Sequence, residues 1–510
     1  MYSMGIDSGT QGTKALLVDL ETGQVLGRGY SRHVLVSGLK PGESEQNPAT
    51  WVKAMEEAMA EAIKSAAVSP AKIVTLGVSG QQHGFVALDK NFHSIRPAKL
   101  WNDTSTVEET EEIIQSMGGK KSIIDKLGIS LAVGYTASKV LWLKKHEPDN
   151  FRRLHLTLLP HNYLNLYLTG QPHMEYGDAS GTGLMDIRNL SWHNEVLNII
   201  DPELENKLPA LSHPRHPVGY IKKEVAEKFG FKRVLVSSGG GDNMMAAIGT
   251  GNVAEGIITL SLGTSGTIFS YSDQAFIDPE GEIAAFCDSS GGWLPLLCTM
   301  NVTNTTELLK ELLDLDNEDV ENMVASAKPG ASGLIFLPFI CGERVPVLPQ
   351  ASAVFFGLNS QNFNRENLAR AVIEGTVLNL GYGFARMQAL GLKAEEIRAT
   401  GGGARSQAWL QVVADVFQSP VITLKEPESA AFGAALQAIW CYQLESGQKI
   451  NLAELARELV KKDTLAAVPD RSLAPFYREL QQRFNSLWQS LEPEFIEHRT
   501  FVNSRLFKDR

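Results

Sequence analysis

Short apolar runs alternate with longer stretches of helical spacing through the first half of the chain, the pattern of an α/β protein. Met4 and Ile6 mark a strand that breaks at Asp7-Ser8-Gly9-Thr10-Gln11-Gly12-Thr13-Lys14 and resumes as Ala15-Leu16-Leu17-Val18. A glycine-containing break between two strand-like runs predicts a β-hairpin. Asn47-Pro48 then supplies a cap and a first-turn proline, and Trp51, Met55, Met59, Ala62, Ile63 and Ala66 follow at helical spacing. A strand over 73–78 runs into the polar turn Ser79-Gly80-Gln81-Gln82-His83-Gly84. A second strand, 85–88, returns and leads to Leu100-Trp101-Asn102-Asp103. Residues 106–170 read as largely helical, with Lys139, Trp142 and Leu143 in one segment. The last strand of this half, 233–236, ends in Ser237-Ser238-Gly239-Gly240-Gly241-Asp242-Asn243, and a helix carrying Met244, Met245, Ala246, Ala247 and Ile248 follows.

Just past the middle the opening phrase recurs. Ile257, Ile258 and Leu260 precede Ser261-Leu262-Gly263-Thr264-Ser265-Gly266-Thr267, and Ile268-Phe269 resumes the strand. Small residues in such a turn let backbone N–H groups approach and bind an anion. Two copies at matching places predict a duplicated fold that grips one polyphosphate from both sides. Gly249-Thr250-Gly251-Asn252 reads as the hinge, giving domains of 1–251 and 252–510. The second half continues with a long helix over 365–390 and the turn Thr400-Gly401-Gly402-Gly403-Ala404-Arg405. A strand over 421–424 and a small-residue helix from Ser429, built for tight packing, come next. The amphipathic, charged stretch after about residue 450 is expected to cap the second domain.

A chain of 510 residues exceeds one ordinary core, in line with more than one domain. Its net charge of −11 argues against nucleic-acid or anionic-membrane partners, and no run of four Lys or Arg offsets it. No apolar stretch approaches the ~20 residues of a membrane span, and no secretory signal pattern opens the sequence. Cys287, Cys298, Cys341 and Cys441 fall in no C-x-x-C spacing and read as reduced thiols. These features point to a cytoplasmic protein.

The common phosphate-loop, dinucleotide, H-x-x-x-H and nucleophile-elbow fingerprints are all missing, which leaves the glycine-rich turns and the aspartates on them. Asp242 follows three glycines at a helix start, where it is either a general base kept ionised by the helix terminus or a simple N-cap. Asp7 beside the first turn would repel a bare triphosphate, so it reads either as a magnesium ligand, direct or through water, or as a turn-stabilising Asx residue. Thr10, Gln11, Thr13 and Lys14 offer hydroxyl, amide and cationic contacts to phosphate oxygens. Gln82, His83, Trp101, Asn102 and Asp103 lie at strand ends, the usual place for ligand contacts in open α/β sheets. They suit a polyhydroxylated substrate that needs many hydrogen bonds and one stacking face.

Taken in order, these turns resemble the FGGY family of carbohydrate kinases, and within it the members acting on xylulose. The resemblance also rests on Tyr135-Thr136-Ala137-Ser138-Lys139-Val140-Leu141-Trp142, Gly342-Glu343-Arg344-Val345-Pro346, Phe355-Phe356-Gly357-Leu358 and Gly401-Gly402-Gly403-Ala404-Arg405-Ser406. It implies an α/β fold of two actin-like (ribonuclease-H-like) ATPase domains with an active-site cleft between them. It implies ATP-dependent phosphorylation of D-xylulose to D-xylulose 5-phosphate, with ATP and magnesium required. Asp242 would be the general base, taking the proton of the sugar 5-hydroxyl as that oxygen attacks the γ-phosphate. Gln82 and His83 would contact the sugar, with Asn243 beside the base. Gly263 and Thr264 would lie at the phosphates, and Gly402, Gly403 and Gln407 near the adenosine. The implied partners are a small sugar and ATP, with a homodimer as the candidate assembly. The alternatives are a kinase for ribulose or another polyol, and a non-kinase actin-like ATPase. Two positions depart from the family pattern and bear on which ketose is taken. Gln82 stands where many bacterial members carry Met, and Pro160-His161-Asn162-Tyr163 replaces Pro-Lys-Asp-Tyr.

Overall fold

The computed structural model describes residues 1–505; the last five residues of the expected second domain lie outside the described residues. The chain divides into two compact units: 1–254 with 271–295 and 428–461, and 255–270 with 296–427 and 462 onwards.

In the first unit, Tyr2–Ser8 and Gly12–Asp19 form the expected antiparallel hairpin, with Asp7 opposite Lys14. Val25–Arg32 pairs antiparallel with the second strand. Ile73–Gly80 lies parallel to the first on its other side, and Leu235–Val236 continues parallel beyond it. Met4, Ile6, Ala15, Leu16, Leu17 and Val18 are all essentially buried, which is why these strands read as continuous apolar runs rather than as alternation. The helix Pro48–Ala66 starts where Asn47 accepts from the Ala49 amide, and buries Trp51, Met55, Met59 and Ala62.

The small-residue helix Ser429–Glu445 packs against this sheet and against the helix Asp242–Gly249. A Cβ added at Gly433 would stand 1.8 Å from the Met245 carbonyl oxygen, and one at Gly5 would stand 1.9 Å from that of Ala431. Glycine is what lets the backbones meet. Although remote in sequence, this helix braces the helix that carries Asp242.

The second unit repeats the plan. Gly256–Leu262 and Gly266–Ser270 form the hairpin, and the strand ending at Thr299 pairs antiparallel with its second arm. Ala394–Thr400 runs parallel to Gly256–Leu262, and Val421–Leu424 runs parallel beyond that. Strand order and sense therefore match those of the first sheet, as the repeated phrase suggests. The helix Arg365–Ala389 is capped by Asn364, and its Leu378 joins a core with Phe339, Tyr477, Phe484 and Trp488.

Two expectations change. The 85–88 run does not return to the main sheet, because Val86–Leu88 pairs with Leu156–Leu158 in a small sheet of its own. The stretch after residue 450 divides, Leu452–Leu459 falling in the first unit and Ala474–Arg505 in the second. No helix among the described residues is long and apolar enough to cross a membrane.

Candidate active site

Parallel pairing aligns strand ends, and that brings the polar turns of the first unit together. Asp7 lies beside Ser79 and Ser8 beside Gly80, while Gly240 and Gly241 pair with Ser79 and Gly80. The residues that follow these strands (Gly9-Thr10, Gln81-Gln82-His83 and Asp242-Asn243) consequently leave the sheet at one edge.

Asp242 is the first residue of the helix Asp242–Gly249, whose N-cap is Gly241. It is therefore not the cap. Its Oδ1 accepts from the Asn243 amide at 2.8 Å and from Asn243 Nδ2 at 3.0 Å. The same Nδ2 donates to Gln82 Oε1 at 2.8 Å, so Asn243 ties the carboxylate to the 81–84 turn. The helix terminus was expected to favour the ionised form, but other forces win. Burial, then the charge of Asp7, with a smaller push from Asp178, raise the Asp242 pKa to about 7, against the Asn243 hydrogen bonds. A carboxyl poised near neutrality suits a general base.

Asp7 Oδ1 accepts from Ser79 Oγ at 2.8 Å. Burial raises its pKa and the charge of Glu428 adds to the rise, while the Ser79 hydroxyl and Lys14 oppose it. Lys14 donates to Glu428 Oε2 at 2.5 Å, so its ammonium is held by a carboxylate. Thr10 Oγ1 donates to Gln81 Oε1 at 3.2 Å and accepts from Trp101 Nε1 at 3.0 Å, joining the first turn to the tryptophan. The Gln11 side is exposed. Thr13 is buried, and its hydroxyl is spent on Ser8 Oγ, to which it donates at 3.2 Å.

Among the expected sugar contacts, Gln82 is buried with its Oε1 taken by Asn243, while its Nε2 has no partner among the described residues. His83 adopts φ +60°, and its ring packs 4.5 Å from Tyr135 and 5.7 Å from Phe286, centroid to centroid. Trp101 is 42% exposed and Asn102 is exposed, so both can meet a ligand. Asp103 cannot. It is fully buried and accepts from the Ser44 and Ser105 amides, the Ser105 hydroxyl and Lys99 Nζ. Although burial pushes its pKa up, these donors hold it below the usual value. Asp103 anchors the turn that displays Trp101 and Asn102.

Three buried groups of this site escape sequence reasoning. Lys139 Nζ donates to the His83 carbonyl at 2.7 Å and the Gly134 carbonyl at 2.5 Å. His161 Nδ1 lies 2.7 Å from Asp178 Oδ2, and Asp178 Oδ1 lies 3.1 Å from where a Gly241 Cβ would be. Glu175 caps the short 176–179 helix through the Gly177 and Asp178 amides. The one available signal was the His-Asn replacement at 161–162, since His161 is the residue that meets Asp178.

In the second unit, the Gly263 and Thr264 carbonyls accept from the Thr303 and Val302 amides at 3.0 Å each, seating the hairpin tip on the start of the helix Thr303–Leu313. The glycine turn packs against the same hairpin: a Gly403 Cβ would stand 2.8 Å from Leu262 Cβ, whereas one at Gly402 would meet nothing within 4 Å. Gly263, Thr264, Gly402 and Gly403 therefore share one backbone-lined surface. Gln407 is diverted from it, its Nε2 donating to the Ala466 carbonyl at 2.8 Å.

The N-terminal domain profile of the FGGY family of carbohydrate kinases matches residues 2–249, and the C-terminal domain profile matches 258–442. The chain belongs to the FGGY carbohydrate kinases. Among similar FGGY kinases, the xylulose kinase of Haemophilus influenzae is 46% identical over 447 residues, covering 86% of this chain and 90% of the relative. The solved xylulose kinase of Bifidobacterium adolescentis superposes with a TM-score of 0.81 at 28% identity, over 94% of this chain and 99% of that one. The solved gluconate kinase of Lactobacillus acidophilus reaches 0.89 at 25% identity, over 98% and 99%. Kinases of one shape thus carry names for different sugars, and the choice of sugar must be argued from side chains.

Proposed function

We propose that this FGGY kinase transfers the γ-phosphoryl group of ATP to the 5-hydroxyl of D-xylulose, giving D-xylulose 5-phosphate and ADP, with Asp242 as general base. The observation that carries the mechanism is the Asp242 carboxyl, poised near pH 7 beside Asp7 and linked through Asn243 to Gln82. The ionised carboxylate takes the hydroxyl proton as the sugar oxygen forms its bond to the γ-phosphorus and the bond to the ADP oxygen breaks. Gln82 Nε2 and the His83 ring hold the sugar, and Trp101 gives it an apolar face. Gly263, Thr264, Gly402 and Gly403 receive the nucleotide. Asp7 fits magnesium: it is a hard oxygen donor beside the base, with only Oδ1 engaged by Ser79. When bound there, directly or through water, the ion neutralises phosphate charge. The chain resembles kinases named for xylulose along most of its length, and that supports the choice of ketose.

The test is a panel of D-xylulose, D-ribulose, L-ribulose, glycerol and gluconate with ATP and magnesium, following ADP release. D-xylulose should give the highest kcat/KM. A higher value for D-ribulose, glycerol or gluconate refutes the substrate while leaving the kinase chemistry intact, and no ADP release with any of them refutes both.

A further inference from the structure

The His83 backbone sits in the left-handed region at φ +60°, where a residue with a Cβ pays steric strain unless its surroundings hold it. Those surroundings are specific. A Cβ on Gly181 would stand 2.5 Å from His83 Cε1 and 2.6 Å from its Nδ1, so that edge of the ring abuts the glycine, while Tyr135 packs 4.5 Å away, centroid to centroid. From the other side, Lys139 Nζ donates to the His83 carbonyl at 2.7 Å, and Thr136 Oγ1 donates to the same oxygen at 3.3 Å. Lys139 and Thr136 are both fully buried and lie on one helix, Thr136–His146. The same amino group donates to the Gly134 carbonyl, and a Cβ at Gly134 would stand 2.3 Å from the Trp101 carbonyl oxygen. One buried amino group therefore clamps the turn bearing His83 to the loop packed on the backbone of Trp101.

Burying a lysine amino group away from water is costly, and a hydrophobic residue would fill the same space without that cost. We infer that Lys139 is a positioning residue for sugar recognition, holding the His83 turn in its left-handed conformation and fixing the spacing between His83 and Trp101. This rests on the reading above in which His83 contacts the sugar. Lys139 touches no substrate itself. It acts through the carbonyl of the residue that does.

The experiment compares Lys139→Met, His83→Ala and the double variant in the full chain, measuring kcat and KM for D-xylulose and for ATP, with thermal melting alongside. Lys139→Met should lower kcat/KM for D-xylulose by roughly 10- to 100-fold, mainly through KM, as expected when a contact is displaced and a buried acceptor loses its donor. The ATP KM should stay within about twofold. In the double variant the loss should be close to that of His83→Ala alone, because residues acting as one unit are not additive. Thr136→Val, a milder change, should shift the D-xylulose KM in the same direction by roughly 2- to 10-fold and covers the case in which Lys139→Met does not fold. Losses that multiply in the double variant, or equal rises in both KM values, overturn the inference and leave Lys139 a general fold anchor. An unchanged D-xylulose KM in His83→Ala overturns the reading of His83 and the inference together. A normal D-xylulose KM in Lys139→Met or Thr136→Val, with His83→Ala impaired, overturns the inference alone.

Discussion

Replacing Asp242 by Asn should separate chemistry from stability in opposite directions. Asn preserves the volume and an oxygen for the two Asn243 donors at 2.8 and 3.0 Å, so sugar and nucleotide binding should be little changed. It cannot take a proton, and loss of general-base help costs roughly 10²–10⁴-fold in turnover, or about 3–5 kcal/mol of barrier. Stability should move the other way. In the native state the Asp242 pKa is about 7 against an ordinary value of 3.8, with burial the main cause and Asp7 the next. The folded chain therefore holds this proton more tightly than the unfolded chain does. Stability falls as pH rises from about 4 to about 7 and stays reduced above that. The whole shift sets an upper bound on the order of 4 kcal/mol, with a smaller effect expected because Asp242 is not wholly shielded from water.

The assay is ADP release at saturating D-xylulose and ATP at pH 8, paired with melting curves at pH 5 and pH 8. Wild type should show a kcat/KM for sugar that climbs with pH and levels near 7. The variant should be slow at every pH, yet more heat-resistant than wild type at pH 8, with a smaller gain at pH 5. A variant keeping more than about a third of wild-type turnover refutes the base assignment. One that melts lower at pH 8 refutes the electrostatic argument, because the carboxylate would then be stabilising the helix start.

Asp7→Ala should raise the magnesium concentration needed for half-maximal rate, lower turnover and leave sugar binding nearly unchanged. Because the charge of Asp7 helps to raise the Asp242 pKa, the acid limb of the pH profile should also move to lower pH, and an unmoved limb with unaltered magnesium dependence would return Asp7 to a turn-stabilising role. Asp103→Ala should cost about 3–5 kcal/mol in denaturant unfolding, since it strips a partner from the fully buried Lys99, and a sugar KM raised without loss of stability would contradict the anchoring role. Gly402→Ala should leave stability within about 0.5 kcal/mol of wild type, because the added methyl meets nothing. Gly403→Ala should push against Leu262 and raise the KM for ATP over that for sugar, and equal effects of the two alanines would refute this packing.

The sheets were legible because apolar runs and glycine turns are local signals. Met4 and Ile6, and Ile258 and Leu260, are buried as their patterns imply, and each hairpin turns where its glycines fall. The gathering of the polar turns was legible for a related reason: in a parallel sheet, polar residues just after apolar runs must gather at one side. What could not be read was the far end of each side chain. Asp103 and Asn102 are neighbours in one motif, yet one faces Lys99 in the interior and the other faces solvent. Thr10 lies in the turn, whereas Thr13 lies on the second strand of the hairpin, where its hydroxyl turns onto Ser8. The raised pKa of Asp242 was also hidden, since it arises first from burial and then from the charges of Asp7 and Asp178, both far away in sequence. Nothing in the local pattern marks the Lys139 amino group as buried.

The two departures from the family pattern act at different depths. His161 is fully buried, with Nδ1 at 2.7 Å from Asp178 and Nε2 at 2.8 Å from Asn162 Nδ2, so both replaced residues are satisfied inside the protein. Burial pulls the His161 pKa down to about 4 and pushes Asp178 well up. Both directions favour a pair that shares one proton and carries no net charge. Gln82 is different. Its Oε1 is held by Asn243, which fixes the amide so that Nε2 is the group left to donate. A methionine thioether at this position could fill the space but could not donate. A site built to donate a hydrogen bond rejects an analogue without an acceptor far more strongly than an apolar site does. Gln82 is thus the position at which this chain should discriminate among sugars more sharply than relatives with Met, and an analogue lacking the hydroxyl or carbonyl opposite it should suffer most.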